Sequence, residues 1–283
     1  MQEKSLNIRQ IEAAELDIVL GWAAAEGWNP GLHDAACFHA ADPGGFLIGE
    51  LRGEAVAGIS CVRYGGDFGF IGLYLVKPAY RGLGHGLALW QAAMARLDGC
   101  NIGLDGVVAQ QGNYARSGFR AAYRHVRHEG RGSGEALAAE DIVRLSASDL
   151  AAVSRYDRAC FGGERQRFLQ AWLSQPQHKA VGSFGPQGLR GYAVLRPCRN
   201  GYKIAPLFAD TPALAEQLFL ALQGLVAPEM PIFIDVPEAN PAAVALAARH
   251  RLQPVFEAAR MYAGAEPPLE LALQYGIASM ELG

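Results

Sequence analysis

Apolar positions along the chain follow two periods in a repeating order. Leu6 to Ile11 reads as a short strand, and Leu16, Val19, Leu20 and Ala23 then recur on one helix face until Gly27 and the Asn29-Pro30-Gly31 turn. Asp34 to Ala40 predicts a second short helix. Phe46–Leu51 and Ala55–Tyr64 are strand-like runs joined by Arg52-Gly53-Glu54, and Phe68–Val76 follows Gly65-Gly66-Asp67, so three consecutive antiparallel strands are predicted. Leu83, Leu87, Trp90, Met94 and Leu97 step by four and three residues in turn, the stripe of an amphipathic helix packed on that sheet. Strand Ile102–Val108, helix Gly112–Ser117 and strand Phe119–Arg127 follow.

Beyond glycine-rich residues 130–140 the same order recurs. A strand over Ile142–Leu145 precedes helices over Leu150–Cys160 and Arg165–Leu173, then strands over Ala180–Phe184, Arg190–Leu195 and Gly201–Phe208. Thr211-Pro212 supplies an N-cap and a first-turn proline to a helix with Leu214, Leu218, Leu222 and Leu225 on one face. Strand Ile232–Val236, helix Asn240–Arg249, strand Pro254–Tyr262 and a small helix from Leu269 end the pattern. The repeat lies in the order of elements, not in letters. It predicts an α+β fold of two tandem domains, residues 1–130 and 141–283, joined by a linker over 131–140. Each domain is a mixed, mostly antiparallel sheet flanked by helices.

The 283 residues, 51% apolar and 19% charged, exclude a disordered chain. No stretch reaches the roughly 18 consecutive apolar residues of a membrane span. Residues 1–5 run into charged sequence without an apolar leader, so a cytoplasmic protein is expected. The net charge of −3, with neither half basic, argues against a nucleic-acid partner. Five scattered cysteines without a CxxC form neither a disulfide framework nor a zinc ribbon. His33, Cys37 and His39 lie close together but lack a fourth ligand, and no metal is expected.

The most informative stretch runs from Leu73 to Leu89. A strand ends at Val76, Pro78 breaks it, and Arg81-Gly82-Leu83-Gly84-His85-Gly86 leads straight into a helix. Such a loop aims unpaired backbone N–H groups and the positive end of the helix dipole at one point, which makes an anion site. Glycines at 82, 84 and 86 admit a diphosphate close to the main chain, and Arg81 adds fixed positive charge. The dinucleotide fingerprint fails because its last glycine falls on Leu87 or Leu89, and the P-loop fails for want of a Lys-Ser or Lys-Thr. The plain alternative is a flexible turn before a core helix.

These residues resemble the GNAT superfamily of acyl-CoA-dependent N-acyltransferases, whose hallmark is Arg/Gln-x-x-Gly-x-Gly/Ala after a strand ending in Val-x-Pro. The chain has Val76-Lys77-Pro78 and Arg81 to Gly86, and then Asn113-Tyr114-Ala115-Arg116-Ser117-Gly118-Phe119, similar to the family's second motif. The resemblance covers roughly residues 5–130. It implies a bulged fourth strand splayed from the fifth, with acyl-CoA in the gap and pyrophosphate on Gly82, Leu83, Gly84, His85, Gly86 and Leu87. By the same resemblance Leu75 and Val76 offer backbone groups to the acyl-pantetheine arm, and Arg81 and Asn113 join the cofactor set. The whole chain resembles a narrower tandem group through Glu26-Gly-Trp-Asn-Pro-Gly31, Ile102-Gly-Leu-Asp-Gly-Val107, Tyr202 to Asp210 and Arg260-Met-Tyr262. Its second domain lacks the glycine loop and a counterpart of Tyr114, which marks it as a degenerate copy.

A primary amine attacks a thioester as the free base, so its proton needs an acceptor and the leaving thiolate needs a donor or strong stabilisation. Tyr114 is the candidate acid by the motif, against the alternative of a packing aromatic. Many members of the family carry a Glu in the fourth strand where this chain has Phe70-Ile71-Gly72. Asp105, a charge inside an apolar strand, is the candidate base, or else a carboxylate that accepts backbone hydrogen bonds. Glu26, Trp28 and Asp34 fall in the helix-loop-helix expected to wall the acceptor. The resemblance thus implies transfer of acetyl from acetyl-CoA to a small-molecule primary amine, with no metal and no membrane partner. A non-catalytic acyl-CoA sensor and a protein-lysine acyltransferase stay open beside it, and a homodimer is compatible with the sequence.

Overall fold

A computed structural model describes residues 6–135 and 141–283; part of the expected linker, residues 136–140, lies outside the described residues. The first half comprises β1 (Asn7–Gln10), α1 (Leu16–Ala25), α2 (Asp34–Ala41), β2 (Phe46–Leu51), β3 (Glu54–Tyr64), β4 (Phe68–Val76), α3 (His85–Arg96), β5 (Asn101–Val107), α4 (Gln111–Arg116) and β6 (Arg120–Arg131). The second comprises β7 (Val143–Leu145), α5 (Leu150–Cys160), α6 (Gln166–Ser174), β8 (Lys179–Gly185), β9 (Gly188–Pro197), β10 (Tyr202–Ala209), α7 (Pro212–Gln223), β11 (Pro231–Pro237), α8 (Pro241–Arg249), β12 (Gln253–Tyr262) and β13 (Gln274–Gly276). The order of elements recurs as the apolar periods predict, and the fold is α+β.

Hydrogen bonding does not follow the chain order at the junction. The thirteen strands form one sheet in the order β1-β2-β3-β4-β5-β12-β6-β11-β10-β9-β8-β7, with β13 on β10. β12 lies antiparallel between β5 and β6, and β6 pairs on its other side with β11. The last long strand of each half has therefore crossed into the other, and both partners of β6 come from beyond residue 141.

Apolar clusters cover the sheet. Leu89, Trp90, Ala93 and Leu97 seat α3 on the β2–β4 face together with Ala259 and Met261 of β12. Leu83 and Leu87, expected on that buried stripe, are instead 64% and 60% exposed. They stand in the loop and the first helical turn, before the helix reaches the sheet. On the opposite face one cluster joins Val19, Leu20 and Phe38 of the first half to Phe168, Trp172 and Tyr192 of the second. A third gathers α7 and α8 through Leu214, Leu218, Leu222 and Leu246. Among the described residues no helix is long and apolar enough to cross a membrane.

The region after Leu269 differs from the predicted small helix. A single 3-10 turn over Leu271–Leu273 leads into β13. The parallel β10–β11 pairing is recorded as far as Ile204↔Ile234, β10 shifts register between Ile204 and Leu207, and β13 pairs with it at Leu207 and Phe208. A strand satisfies the backbone groups that this parting would expose, whereas a helix there would leave them unpaired.

The exchange makes a direct prediction. Residues 1–135 and 141–283 produced separately should each lack a cooperative thermal transition, because each loses a strand from the middle of the ladder, and mixing them should restore one. Circular-dichroism melts of each fragment and of the mixture are the check; two independent sharp transitions would contradict it.

Candidate active site

The site begins where β4 leaves β5. Their parallel pairing is recorded from Phe68↔Asn101 as far as Ile71↔Leu104; Leu73 sits at φ 45°, and the register against β3 shifts between Gly58 and Ser60. A branched side chain at positive φ is costly, so this is a built bulge that turns the end of β4 away. The wedge opens into a cavity of about 640 Å³ bordered by Leu75, Val76, Gly82, Gly84, Leu87 and Tyr114 on one side and by Trp28, Arg127, Phe256, Met280 and Glu281 on the other.

The glycine loop closes one end. Gly82 and Gly84 hold φ of 76° and 84°, and a Cβ on either would meet nothing within 4 Å, so the main chain is open to a bulky group. Gly84 is the N-cap of α3 and offers no side-chain cap, which leaves first-turn N–H groups for an anion. This suits the diphosphate of an acyl-CoA. Gly86 is tight instead: a Cβ there would lie 2.8 Å from the Tyr74 hydroxyl. Arg81 is steered by two bonds, Nε to the Val76 carbonyl at 2.8 Å and Nη2 to the Glu26 carboxylate at 2.5 Å. Leu83 and His85 do not border the cavity, and neither does Asn113, which bonds Gln110 and Arg116 on α4.

Tyr114 lies on α4, nearly buried, with its ring 5.5 Å from that of Trp90 and its edge against Gly106. Burial raises its hydroxyl above the usual phenol range, so it stays protonated. Tyr74, a neighbour not singled out in the sequence, borders the cavity from β4 and is raised by burial too. Its place on an alternating strand, two residues before Val76, is the signal that was available.

The acidic residues expected at the acceptor end are arranged otherwise. Asp105 borders the cavity, but its side chain is wholly buried; it accepts from Arg260 Nε and Nη2 at 2.9 Å each, and its Oδ1 lies 2.8 Å from His125 Nδ1. Burial alone would raise its carboxyl, yet the charges of Arg260 and His125 outweigh it and bring it down to about 2. A carboxylate so held is a poor proton acceptor. Asp34 is also buried: it takes Arg196 Nη1 at 2.7 and 2.8 Å and the Gly31 N–H at 2.7 Å, outside the cavity lining. Glu26 and Trp28 do border the cavity, Glu26 engaged by Arg81 and Trp28 with its carbonyl taken by Arg127 Nη1 at 2.6 Å. Arg127, Phe256, Met280 and Glu281 join the lining through the strand exchange and the segment after β13, which no local pattern announces. Among the described residues no group of three His, Cys, Asp or Glu side chains is placed to hold a metal ion.

Over 270 residues, 95% of this chain and 92% of the relative, the sequence is 32% identical to holothin acyltransferase of a Pseudoalteromonas species. The chain belongs to the GNAT acyltransferase family. Its first half matches the acetyltransferase (GNAT) family profile over residues 9–119, and its second an acetyltransferase (GNAT) domain profile over residues 153–276, so this GNAT enzyme is a tandem one. An uncharacterised protein of Caenorhabditis elegans, F36G3.2, is 26% identical over 56% of the chain and 55% of its own length. Among solved structures, a Pyrococcus horikoshii protein classed as an acetyltransferase superimposes with a TM-score of 0.84 at 23% identity, covering 100% of this chain and 98% of its own. A tandem GNAT protein from the clavulanic acid biosynthesis pathway reaches 0.62 at 15% identity, over 93% of this chain and 100% of its own. The protein is an acyl-CoA-dependent acyltransferase.

Two outcomes follow for this GNAT enzyme. Asp105→Asn strands a buried guanidinium and should cost about 3–5 kcal/mol of stability in denaturant melts. Because the Asp105 carboxyl titrates near 3.8 when unfolded and about 2 when folded, its contribution is complete above the first value and fades as pH falls towards the second. Gly84→Val puts a branched residue at φ 84°, a strain of about 1–3 kcal/mol. It should weaken acetyl-CoA binding by about tenfold or more in calorimetry.

Proposed function

We propose that the enzyme moves an acetyl group from acetyl-CoA to the primary amine of a small-molecule acceptor, by direct attack while both are bound. The observation that carries this reading is the contrast between the two splays: the β4–β5 wedge is open beside an uncapped glycine loop, while the equivalent parting of β10 is filled by β13. One acyl-CoA per chain is expected. We read the tandem repeat as residues 1–130 and 141–283 joined by 131–140, with the last long strand of each half exchanged, and a cytoplasmic setting fits a consumer of acyl-CoA.

The acceptor end supports an amine carried on an apolar body. Trp28, Phe256 and Met280 supply aromatic and thioether surface, which favours a flat or hydrophobic acceptor over a strongly anionic one. The relative named for acyl transfer to holothin supports a discrete acceptor. Glu26, Asp34 and Asp105 are engaged by Arg81, Arg196 and Arg260, so their charges are already matched within the protein and are not left to draw a cationic acceptor.

The amine nitrogen forms its bond to the thioester carbonyl carbon, the nitrogen gives up a proton, and the carbon–sulfur bond breaks to release the thiol. Main-chain N–H groups near Leu75 and Val76 fit the role of holding the developing oxyanion. Tyr114 fits that of hydrogen-bonding the departing sulfur and passing it a proton. Its raised pKa does not rule this out, because the desolvation that raises the phenol also raises a thiol brought beside it.

The deciding experiment is thiol release from acetyl-CoA against a panel of aryl-alkyl amines, polyamines, amino acids, aminoglycosides and lysine peptides. Turnover with an apolar amine is expected; turnover with peptides alone would overturn the acceptor assignment. Tyr114→Phe should lower kcat by about 10²- to 10⁴-fold while leaving acetyl-CoA affinity largely intact. Unchanged turnover would reduce Tyr114 to a packing residue.

A further inference from the structure

Among the described residues three carboxylic side chains border the cavity: Glu26, Asp105 and Glu281. The first is held by Arg81 and the second by Arg260 and His125. We propose that Glu281, carried into the first half's wedge by the segment that follows β13, is the residue that accepts the proton of the attacking amine. This rests on the acetyl-transfer reading above and adds to it the base that the sequence did not locate.

The backbone argument comes first. Gly72 stands on β4 immediately after the last recorded pairing with β5, at the mouth of the wedge. A Cβ at this glycine would overlap the Glu281 carbonyl and come within 2.9 Å of its Cα. The strand thus has no side chain at the point where a base would project, and residue 281 occupies that space and brings a carboxylate of its own. The glycine at 72 and the glutamate at 281 are two halves of one arrangement.

The segment is firmly seated. Ser60 Oγ donates to the Glu281 carbonyl at 3.2 Å, Tyr64 Oη to the Leu282 carbonyl at 3.0 Å and Arg165 Nη1 to the Gly283 carbonyl at 2.7 Å. Ser279, wholly buried, accepts the N–H groups of Glu281 and Leu282 at 2.9 and 3.1 Å and donates to Glu281 Oε2 at 2.6 Å. Among the described residues no donor is assigned to Oε1. One oxygen is therefore fixed and the other is left for a ligand, which is what a positioned base requires.

Arg127 of β6 and Arg196 of β9 lie close enough for the charge of Glu281 to act on both, and each is paired elsewhere, with Asp235 and with Asp34. Tyr64 and Arg165 meet the neighbouring backbone, not the carboxylate. A bound alkylammonium first gives one proton to Glu281, and the free amine so formed attacks the thioester carbonyl carbon. The adduct's ammonium proton is lost to solvent as the carbon–sulfur bond breaks and the sulfur takes a proton from Tyr114. Solvent then reprotonates Tyr114 and removes the proton from Glu281, so that one proton is released per alkylammonium acetylated.

The test uses the full chain, acetyl-CoA and two amines, 2-phenylethylamine, which is protonated at neutral pH, and aniline, which is already the free base. Glu281→Gln should lower kcat with 2-phenylethylamine by about 10²-fold or more, lower it much less with aniline, flatten the acidic limb of the pH–rate profile, and leave the acetyl-CoA Kd unchanged. Ser279→Ala, which frees the carboxylate without removing it, should show the same preference with a smaller loss. Turnover within about twofold of the parent for Glu281→Gln, or equal losses on both amines with weakened acetyl-CoA binding, would overturn the assignment. A parent enzyme inert toward every amine would instead remove the transfer reading, and this proposal with it.

Discussion

The cleft depends on the ladder that β12 forms with β5 on one side and β6 on the other. β5 is the far wall of the wedge, and a wedge needs two fixed walls. β4 is held by β3 and bends away after its bulge; without β12, β5 would be a free edge beside an empty gap, the kind of edge that pairs with whatever approaches it. The exchanged strand supplies the missing neighbour, and Ala259 and Met261 on it complete the layer under Trp90 and Tyr114. A strand from the second half thus sets the position of Tyr114 in the first.

Register in that ladder is fixed by charge. Arg260 stands directly opposite Asp105 across β12 and β5, and Arg127 directly opposite Asp235 across β6 and β11. Each pair joins one half to the other, and each is buried. Buried pairs add little net stability, since desolvation offsets most of the attraction, but removing one partner costs about 3–5 kcal/mol. A slip by one residue would turn every side chain of the strand to the opposite face and leave a guanidinium in an apolar layer. The pairs therefore penalise wrong registers more than they reward the right one. This is why an ionisable residue such as Asp105 occupies an otherwise apolar strand, a position that invites a catalytic reading when only the sequence is seen.

What was legible in the sequence was local. Glycine, proline and period placed most helices and strands, and the open glycine loop at 82–86 could be read because a helix N-terminus and its lead-in sit in a few consecutive residues. The unread features are those set by distant segments. Nothing in Gln253–Tyr262 says which half it will join, because an alternating strand pairs as well with either. The fate of Asp105 depended on an arginine brought opposite it by that exchange. Leu83 and Leu87 fit the stripe by spacing, yet the sheet does not reach beneath them, and a periodicity argument cannot know where a packing surface ends.

The two halves of the duplicated fold differ in local chemistry at equivalent helix ends. At α3, Gly84 leaves the first-turn N–H groups unclaimed, and the preceding loop is held open by glycines at positive φ. At α7, Thr211 accepts the Leu214 N–H at 3.2 Å, and Pro212 removes a donor from the first turn, so fewer first-turn donors are left for an anion. The parting of β10 is then paired by β13, and the chain beyond it crosses to the open wedge, where Gly72 makes room for it. Closing the second cleft and furnishing the first are thus done by one stretch of chain. A change that loosened β13 from β10 would disturb both at once, which ties the second half to the first more tightly than a role as a passive wall would require.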